Sequence, residues 1–254
     1  MKHCPRCAAC VATSGWTCRA YGFTAPVIDG FPALAPDLCH SGVNFDEADY
    51  AELAALESVN FWFRSRNDLI IWAIRRHFPQ LSCYLEIGCG TGYVLSGVAN
   101  AFPQARLTGS EVLSLGLSYA ARRVEGAEFL QMDARRIPYV HEFDVIGAFD
   151  VLEHIEEDEL VLKQMMHALR PGGGVVLSVP QHLWLWSNAD KDACHVRRYR
   201  VGELRKKVQR VGFKVELETS FVSLLLPAMA ASRISNREKR SNRDSMTELR
   251  LPPV

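Results

Sequence analysis

Residues 81–95 limit what this chain can fold into more than any other stretch. They read Leu-Ser-Cys-Tyr-Leu-Glu-Ile-Gly-Cys-Gly-Thr-Gly-Tyr-Val-Leu. An apolar run ends in Glu86, glycines follow at 88, 90 and 92, and apolar residues then resume. That order predicts a strand, a tight turn and the first turn of a helix. Glycines let the backbone turn sharply and come close to a ligand, and the helix start directs free N–H groups at the same place. The spacing is Gly-x-Gly-x-Gly, not the Gly-x-Gly-x-x-Gly of a dinucleotide fingerprint. A carboxylate two residues before the first glycine is a poor neighbour for a pyrophosphate. It suits a ligand that carries an amine or sulfonium cation.

Strands and helices alternate downstream. Arg106–Glu111 predicts a second strand ending in a carboxylate, followed by a helix over 114–123. Residues 127–132 predict a third strand ending at Asp133-Ala134, and 143–150 a fourth. A helix ending at Arg170, a Pro171-Gly-Gly-Gly turn and a fifth strand over 175–179 follow. The alternation specifies a parallel sheet with helices on both faces. Ligands of such sheets bind beyond the C-terminal strand ends, where these acids lie. Glu111 can accept bonds from both hydroxyls of a ribose, and Asp133 can take the amino group of an adenine.

Leu85–Gly92 resembles motif I of the class I S-adenosylmethionine-dependent methyltransferases. Glu111, Asp133, Phe149–Ile155 and Leu169–Gly173 are similar to the later motifs of that family, in the same order, and the resemblance runs over about residues 59–221. It implies a Rossmann-like α/β fold with a mostly parallel, twisted sheet. It also implies a sulfonium donor held by Gly88, Cys89, Gly90 and Gly92, with ribose on Glu111, adenine near Asp133 and Ala134, and the methionine amine near Glu86. Phe149 and Arg66 complete the expected cofactor-binding set. The expected divisions are a Cys-rich β module (1–40), a helical cap (41–80), the cofactor domain (81–230) and a polar, flexible tail (231–254).

Two helices are expected before the glycine turn, from Asp46 to Glu57 and from Val59 to Phe78, the second stopped by Pro79. Most of the second reads as core. Its Phe61-Trp62-Phe63 and Arg66-Asn67 cluster either packs there or folds over the ligand.

The stretch after the fifth strand carries His182, Trp184, Trp186, Asp190, His195, Arg197, Arg198 and Tyr199. It is similar to a subgroup in which a Val-Pro strand end and a His-x-Arg-Arg-Tyr loop form the acceptor side of the pocket. Arg197 and Arg198 could there grip a carboxylate or phosphate. The alternative is a structural loop in which His195 and Tyr199 brace the next helix, 201–211. Methyl transfer is an in-line displacement at a carbon that positive sulfur already activates, so the protein must place the nucleophile and remove its proton. His154 and His195 are the candidate bases, with Asp150 a third. No set of metal ligands is evident at the catalytic centre, so metal-assisted deprotonation is not expected. Cys89 reads as a packing residue.

Cys4, Cys7, Cys10 and Cys18 crowd the N-terminus. Cys4-x-x-Cys7 with Trp16-Thr17-Cys18 looks like half of a zinc ribbon. Tyr21 stands where a fourth cysteine would close it, leaving Cys10 or His3 to complete a structural zinc site, or a β-rich cap with free thiols. Iron–sulfur spacing fits less well. Eight cysteines without an export signal suit a reducing, cytoplasmic setting. The 29 basic residues balance 29 acidic ones, which gives no reason to expect nucleic acid, and no apolar run is long enough for a membrane span. At the far end, 213–221 reads as a sixth strand with no seventh after it, so the chain is shortened relative to its family or a partner supplies the sheet edge. The aromatic loop favours a small-molecule, sugar or lipid-like acceptor of methyl on O, N or C. The competing functions are a non-catalytic module that binds the donor or its product, and a protein-interaction scaffold.

Overall fold

The computed structural model describes residues 1–7, 9–11, 15–39, 47–221, 223, 226 and 227. The expected tail, 231–254, lies outside these residues, as does Asp46 at the expected helix start. Two small hairpins come first: β1 (Thr17–Cys18) with β2 (Phe23–Thr24), and β3 (Val27–Ile28) with β4 (Phe31–Pro32). Helices α1 (Glu47–Glu57) and α2 (Phe61–His77) follow. Asn60 caps α2 by accepting from the Trp62 N–H at 2.8 Å, and the helix ends two residues short of Pro79.

The predicted alternation then appears as β5 (Cys83–Ile87), α3 (Tyr93–Ala101), β6 (Arg106–Glu111), α4 (Ser114–Arg123), β7 (Glu128–Gln131), β8 (Phe143–Phe149), α5 (Asp158–Ala168) and β9 (Leu169–Ser178). The chain continues through α6 (Asn188–Asp192) and α7 (Glu203–Val211). The five strands β5 to β9 form one parallel sheet in the order β7-β6-β5-β8-β9. This is the expected Rossmann-like architecture. Period-2 alternation along the central strands sends Leu85, Ile87, Ile146 and Ala148 to one face, against Val161, Leu162 and Met165 of α5. Tyr84, Val145 and Phe149 go to the other, against Ile70 and Ile74 of α2, Leu95 and Val98 of α3, and Leu117 of α4. Each fully buried aliphatic side chain contributes about 1.5–3 kcal/mol.

Two strands differ from the sequence reading. The fifth begins at Leu169, not Val175, because the buried Leu169 pairs with Phe143 directly after α5 ends. Pairing resumes at Val145 with Gly174, so residues 170–173 bulge opposite Asp144. Asp144 anchors that end of the sheet by accepting from the N–H groups of Ser82 (2.9 Å) and Cys83 (2.8 Å) and from Arg170 (2.8 Å). The expected sixth strand, 213–221, joins no ladder. Phe213 and Val215 pack against the core, while Lys214 pairs with Glu216 in solvent. Among the described residues nothing pairs with the outer edge of β9, and its residues 173–178 are only half-buried at best.

The β7 edge is covered. Ala33 bridges Gln131, and the Gln131 amide accepts from Ala35 N–H (2.9 Å) and donates to Ala35 (2.7 Å) and Val112 (3.0 Å) carbonyls. Trp16 meets Tyr139 edge-on at 5.5 Å, and Lys2 pairs with Glu128 at 2.5 Å. The N-terminal segment is thereby docked on the sheet.

Asp158 joins the sheet's α5 to the later chain. Its carboxylate accepts from Tyr199 (2.7 Å) and Lys207 (2.5 Å) and pairs with Arg197 at 2.9 Å. Burial alone would raise its pKa, but these partners hold it below the usual carboxylate range. Asp158→Ala removes the shared partner of Tyr199, Arg197 and Lys207, so urea denaturation is expected to show a loss of about 1–3 kcal/mol.

Candidate functional site

The turn after β5 has the geometry that its glycines suggested. Gly88 lies at φ +67°, and the Val151 side chain fills the space a Cβ would take, so this glycine is required by packing. Gly90 lies at φ +51° with nothing within 4 Å of its Cβ position, which leaves that side of the turn open to an approaching ligand. Gly92 is the N-cap of α3. Cys89 is buried between them, its N–H bonded to the Ser110 carbonyl at 3.0 Å. Burial pushes its thiol well up, so it is an unreactive packing group.

Two acids face this turn. Glu111 ends β6 and accepts from Gly90 N–H at 3.0 Å and from Val112 N–H at 2.8 Å. Burial raises its pKa against those two bonds. Glu86 is buried, with the Tyr84 hydroxyl 3.4 Å from one oxygen. Burial pushes it up to about 8, despite the bond from Tyr84 and the charge of Arg66. A third acid belongs to the turn that the sequence reading missed. Glu57, also buried, accepts from the Thr91 hydroxyl (2.7 and 2.6 Å) and from Arg123 (2.6 Å), tying α1 over the glycines. The available signal was an acid at the C-terminal end of a helix, where the macrodipole disfavours it. Asp133 follows β7, but its carboxylate is engaged by the Arg135 N–H (2.9 Å) and side chain (3.0 Å). Ala134 beside it and Phe149 at the end of β8 are buried.

A second group lies beyond β8. Asp150 sits at φ +58°, pairs with Arg66 and accepts from the Ser178 hydroxyl at 3.1 Å. Arg66 stacks over Trp62 at 4.5 Å, so the polar end of α2 does reach the strand ends, with Phe63 buried beneath it and Phe61 exposed. Glu153 is fully buried, and neither of its oxygens has a hydrogen-bond partner. His195 Nε2 lies 4.0 Å from it, and the His154 and His195 rings meet edge-on at 4.7 Å. Burial and the neighbouring His195 push the His154 imidazole down to about 4, although its outer edge is exposed. It is therefore neutral near pH 7, and a weaker base than an ordinary imidazole. The structure thus brings Asp150, His154 and His195, all expected catalytic groups, to one place.

The basic pair of the loop has other work. Arg198 donates to Asp190 at 2.6 Å, and His195 Nδ1 shares the same oxygen at 3.0 Å. Burial would raise Asp190, but bonds from His195 and Arg198 hold it far below the usual range. Arg197 pairs with Asp158 and donates to the Glu156 carbonyl at 2.9 Å. Of the two readings of this loop, the arginines favour the structural one: both are engaged in internal ion pairs that hold the loop.

At the N-terminus, one sulfur each of Cys4, Cys7 and Cys18 lies within 4.8 Å of the others. Cys10 stands apart from that group, its sulfur 3.9 Å from His3 Nε2, because Cys10 bridges His3 in a local antiparallel turn. Cys10, offered beside His3 as a fourth ligand, lies outside this group of three. Three thiols fit a zinc ion with one position supplied from elsewhere.

Residues 85–173 match the family model described as a methyltransferase domain. Among similar proteins, a probable S-adenosylmethionine-dependent methyltransferase of Mycolicibacterium smegmatis is 24% identical over 65% of this chain and 63% of its own length. A fatty-acid O-methyltransferase of the same organism is 34% identical over 35% of this chain and 34% of its own. The chain thus spans less than two thirds of these relatives. Among solved structures, Haemonchus contortus phosphoethanolamine N-methyltransferase 2, with S-adenosylmethionine bound, aligns with TM-score 0.62 at 17% identity, over 86% of this chain and 55% of the other. The [4+2]-cyclase SpnF aligns with TM-score 0.54 at 21% identity, over 70% of this chain and 68% of its own. At these identities the structural likeness speaks for the fold alone.

The contrast between two glycines is testable. Gly88→Ala must displace Val151 and is expected to lower the melting temperature by several degrees. Gly90→Val fills open space, at a backbone cost of about 1–2 kcal/mol, and is expected to leave a folded protein that no longer binds S-adenosylhomocysteine in calorimetry. Unchanged binding by the folded Gly90 variant would remove the turn from the donor site.

Proposed function

We propose, from the premise that residues 85–173 form a class I S-adenosylmethionine-dependent methyltransferase domain, that this protein transfers a methyl group to a small-molecule, sugar or lipid-like acceptor. The observation that carries the reading is the open space at the Cβ position of Gly90, which lies between Glu86 and Glu111. An open left-handed glycine flanked by one buried and one half-buried carboxylate fits a ligand with a cationic end and a diol. The residues that would hold the donor are Gly88 to Gly92, Glu86 at its amine, Glu111 at its ribose, and Ala134 with Phe149 along its base. The donor supplies a methyl carbon already activated by positive sulfur. The chain's own share is placement, exclusion of water and handling of the acceptor's proton. Arg66 holds Asp150 at the strand end and closes α2 over it. The Glu153–His154–His195 cluster faces the acceptor and activates its nucleophilic atom. The relatives named above include a fatty-acid O-methyltransferase, which supports a small acceptor.

Titration with S-adenosylhomocysteine tests the pocket, and Glu86 supplies a specific readout. In the free protein Glu86 is mostly protonated at pH 7, because its pKa is raised. The ligand's ammonium favours the carboxylate, so binding is expected to release a proton. Calorimetry in two buffers of different ionisation enthalpy measures this. Buffer-independent heats would take Glu86 out of the amine site. The same shift makes the neutral form the stabilising one. Its contribution is whole below the ordinary carboxylate pKa and is lost as pH rises through about 8. Glu86→Gln is therefore expected to melt with the wild type at about pH 4 and progressively above it as the pH approaches 9.

His195→Ala is expected to reduce methyl transfer from labelled donor more than it reduces donor affinity. Equal losses would make His195 a loop brace. Binding of the donor product without transfer to any small-molecule, glycan or lipid pool would favour the competing reading, a binding module.

A further inference from the structure

Glu153, His154 and His195 each bring one ligand atom to within 4.8 Å of the others. Three features of the setting are those of a cation site. The first is Glu153 itself. It is fully buried with neither oxygen hydrogen-bonded, and a buried carboxyl group left in that state is costly unless something occupies it. Arg66, whose charge reaches Glu153, bonds Asp150 instead. The second is the aim of His195. A carboxylate can only accept, so Nδ1 carries a proton to Asp190, which turns Nε2 toward Glu153 at 4.0 Å. A carboxylate behind an imidazole is the arrangement that orients a histidine ligand and raises its basicity. Asp190 is in turn fixed by Arg198 and by the Ser187 N–H at 2.8 Å. The third is backbone register. Val196 N–H donates to the Glu153 carbonyl at 2.8 Å, so the two segments that carry the ligands are pinned to each other.

We propose that Glu153, His154 and His195 bind one divalent first-row transition ion, and that an oxygen of the methyl acceptor takes a position these three ligands leave open. The proposal rests on the methyltransferase reading for its acceptor half. One carboxylate with two imidazoles suits manganese, iron, cobalt or zinc better than calcium or magnesium, which prefer all-oxygen sets. Bonds of about 2.0–2.2 Å require the three side chains to close by about 1 Å around the ion. Three ligands on one side leave positions for the acceptor. A hydroxyl bound there loses its proton to solvent more readily, because the cation stabilises the oxyanion. That oxygen forms the new O–C bond as the C–S bond breaks, its electron pair passing to sulfur and cancelling the sulfonium charge. The ion's oxidation state is unchanged. The acceptor class is therefore a hydroxyl compound, best one with a second oxygen placed to share the ion. The proposed ion departs from the sequence-based expectation that no metal serves this centre.

The test titrates Mn2+ into the metal-free full chain and reads the free ion by electron paramagnetic resonance. Mn2+ favours oxygen and nitrogen over thiolate, so the Cys4–Cys7–Cys18 cluster does not compete. One ion per chain is expected, with affinity reduced at least tenfold in Glu153→Gln and in His154→Ala and unchanged in Cys7→Ser. Glu153→Gln breaks no existing bond, so its metal-free melting temperature should stay level or rise, which separates loss of binding from unfolding. No binding at millimolar Mn2+, or equal affinity in wild type and Glu153→Gln, overturns the site. Water-proton relaxation should show that the bound ion keeps exchangeable water. A bound ion without it would be a closed structural site and would overturn the acceptor half. The Mn2+ titration is read without donor and the S-adenosylhomocysteine titration in chelator, so either reading can fail alone.

Discussion

Arg66 is the cation on which the functional end of the sheet depends. A parallel sheet points every strand's C-terminal end the same way, and this chain places acids at four of those ends or just past them: Glu86, Glu111, Asp133 and Asp150, with Glu153 beyond. Like charges gathered in a low-dielectric region repel and raise one another's pKa. Arg66 answers this from α2. It pairs with Asp150, and its charge lowers the cost of ionising both Glu86 and Glu153. Its stacking on Trp62 fixes the guanidinium in place. The helix that covers one face of the sheet therefore also makes the acid-lined end tolerable.

The same electrostatic logic separates the two halves of the pocket. On the donor side, Glu111 is satisfied by backbone N–H groups of the turn and of the residue after β6, so it is held rigidly. Glu86 has only a long bond from Tyr84 and remains largely neutral until a cation arrives. On the acceptor side, Asp190 is saturated by His195, Arg198 and Ser187, whereas neither oxygen of Glu153, on the other side of His195, has a hydrogen bond. A saturated carboxylate beside a starved one is what a site looks like when one acid is structural and the other waits for a ligand.

The loop over 182–199 shows how a motif divides its labour. His195 turns inward to the cluster, while Arg197 and Tyr199 converge on Asp158 of α5 and Arg198 on Asp190. Three of the four distinctive residues therefore position the fourth. Seen as sequence, two adjacent arginines suggest an anion clamp; in the folded chain the anions are the protein's own.

What the sequence by itself determined was local and periodic. The strand–turn–helix at 83–101, the strand over Arg106–Glu111 and the helix over 114–123 were legible because period-2 and period-3.6 apolar patterns and left-handed glycines are properties of neighbouring residues. The acids at strand ends were legible for the same reason, since the strand ends were. Tertiary structure decided the partnerships. Glu57 on the glycine turn, Arg66 on Asp150, both loop arginines on internal carboxylates, and the meeting of Glu153 with His195 all join segments distant in the chain. The failed sixth strand belongs with these, since a strand exists only if a neighbour accepts its ladder, and β9 did not. Ion pairs and ladders between remote segments depend on where loops carry them, and no periodicity records that path.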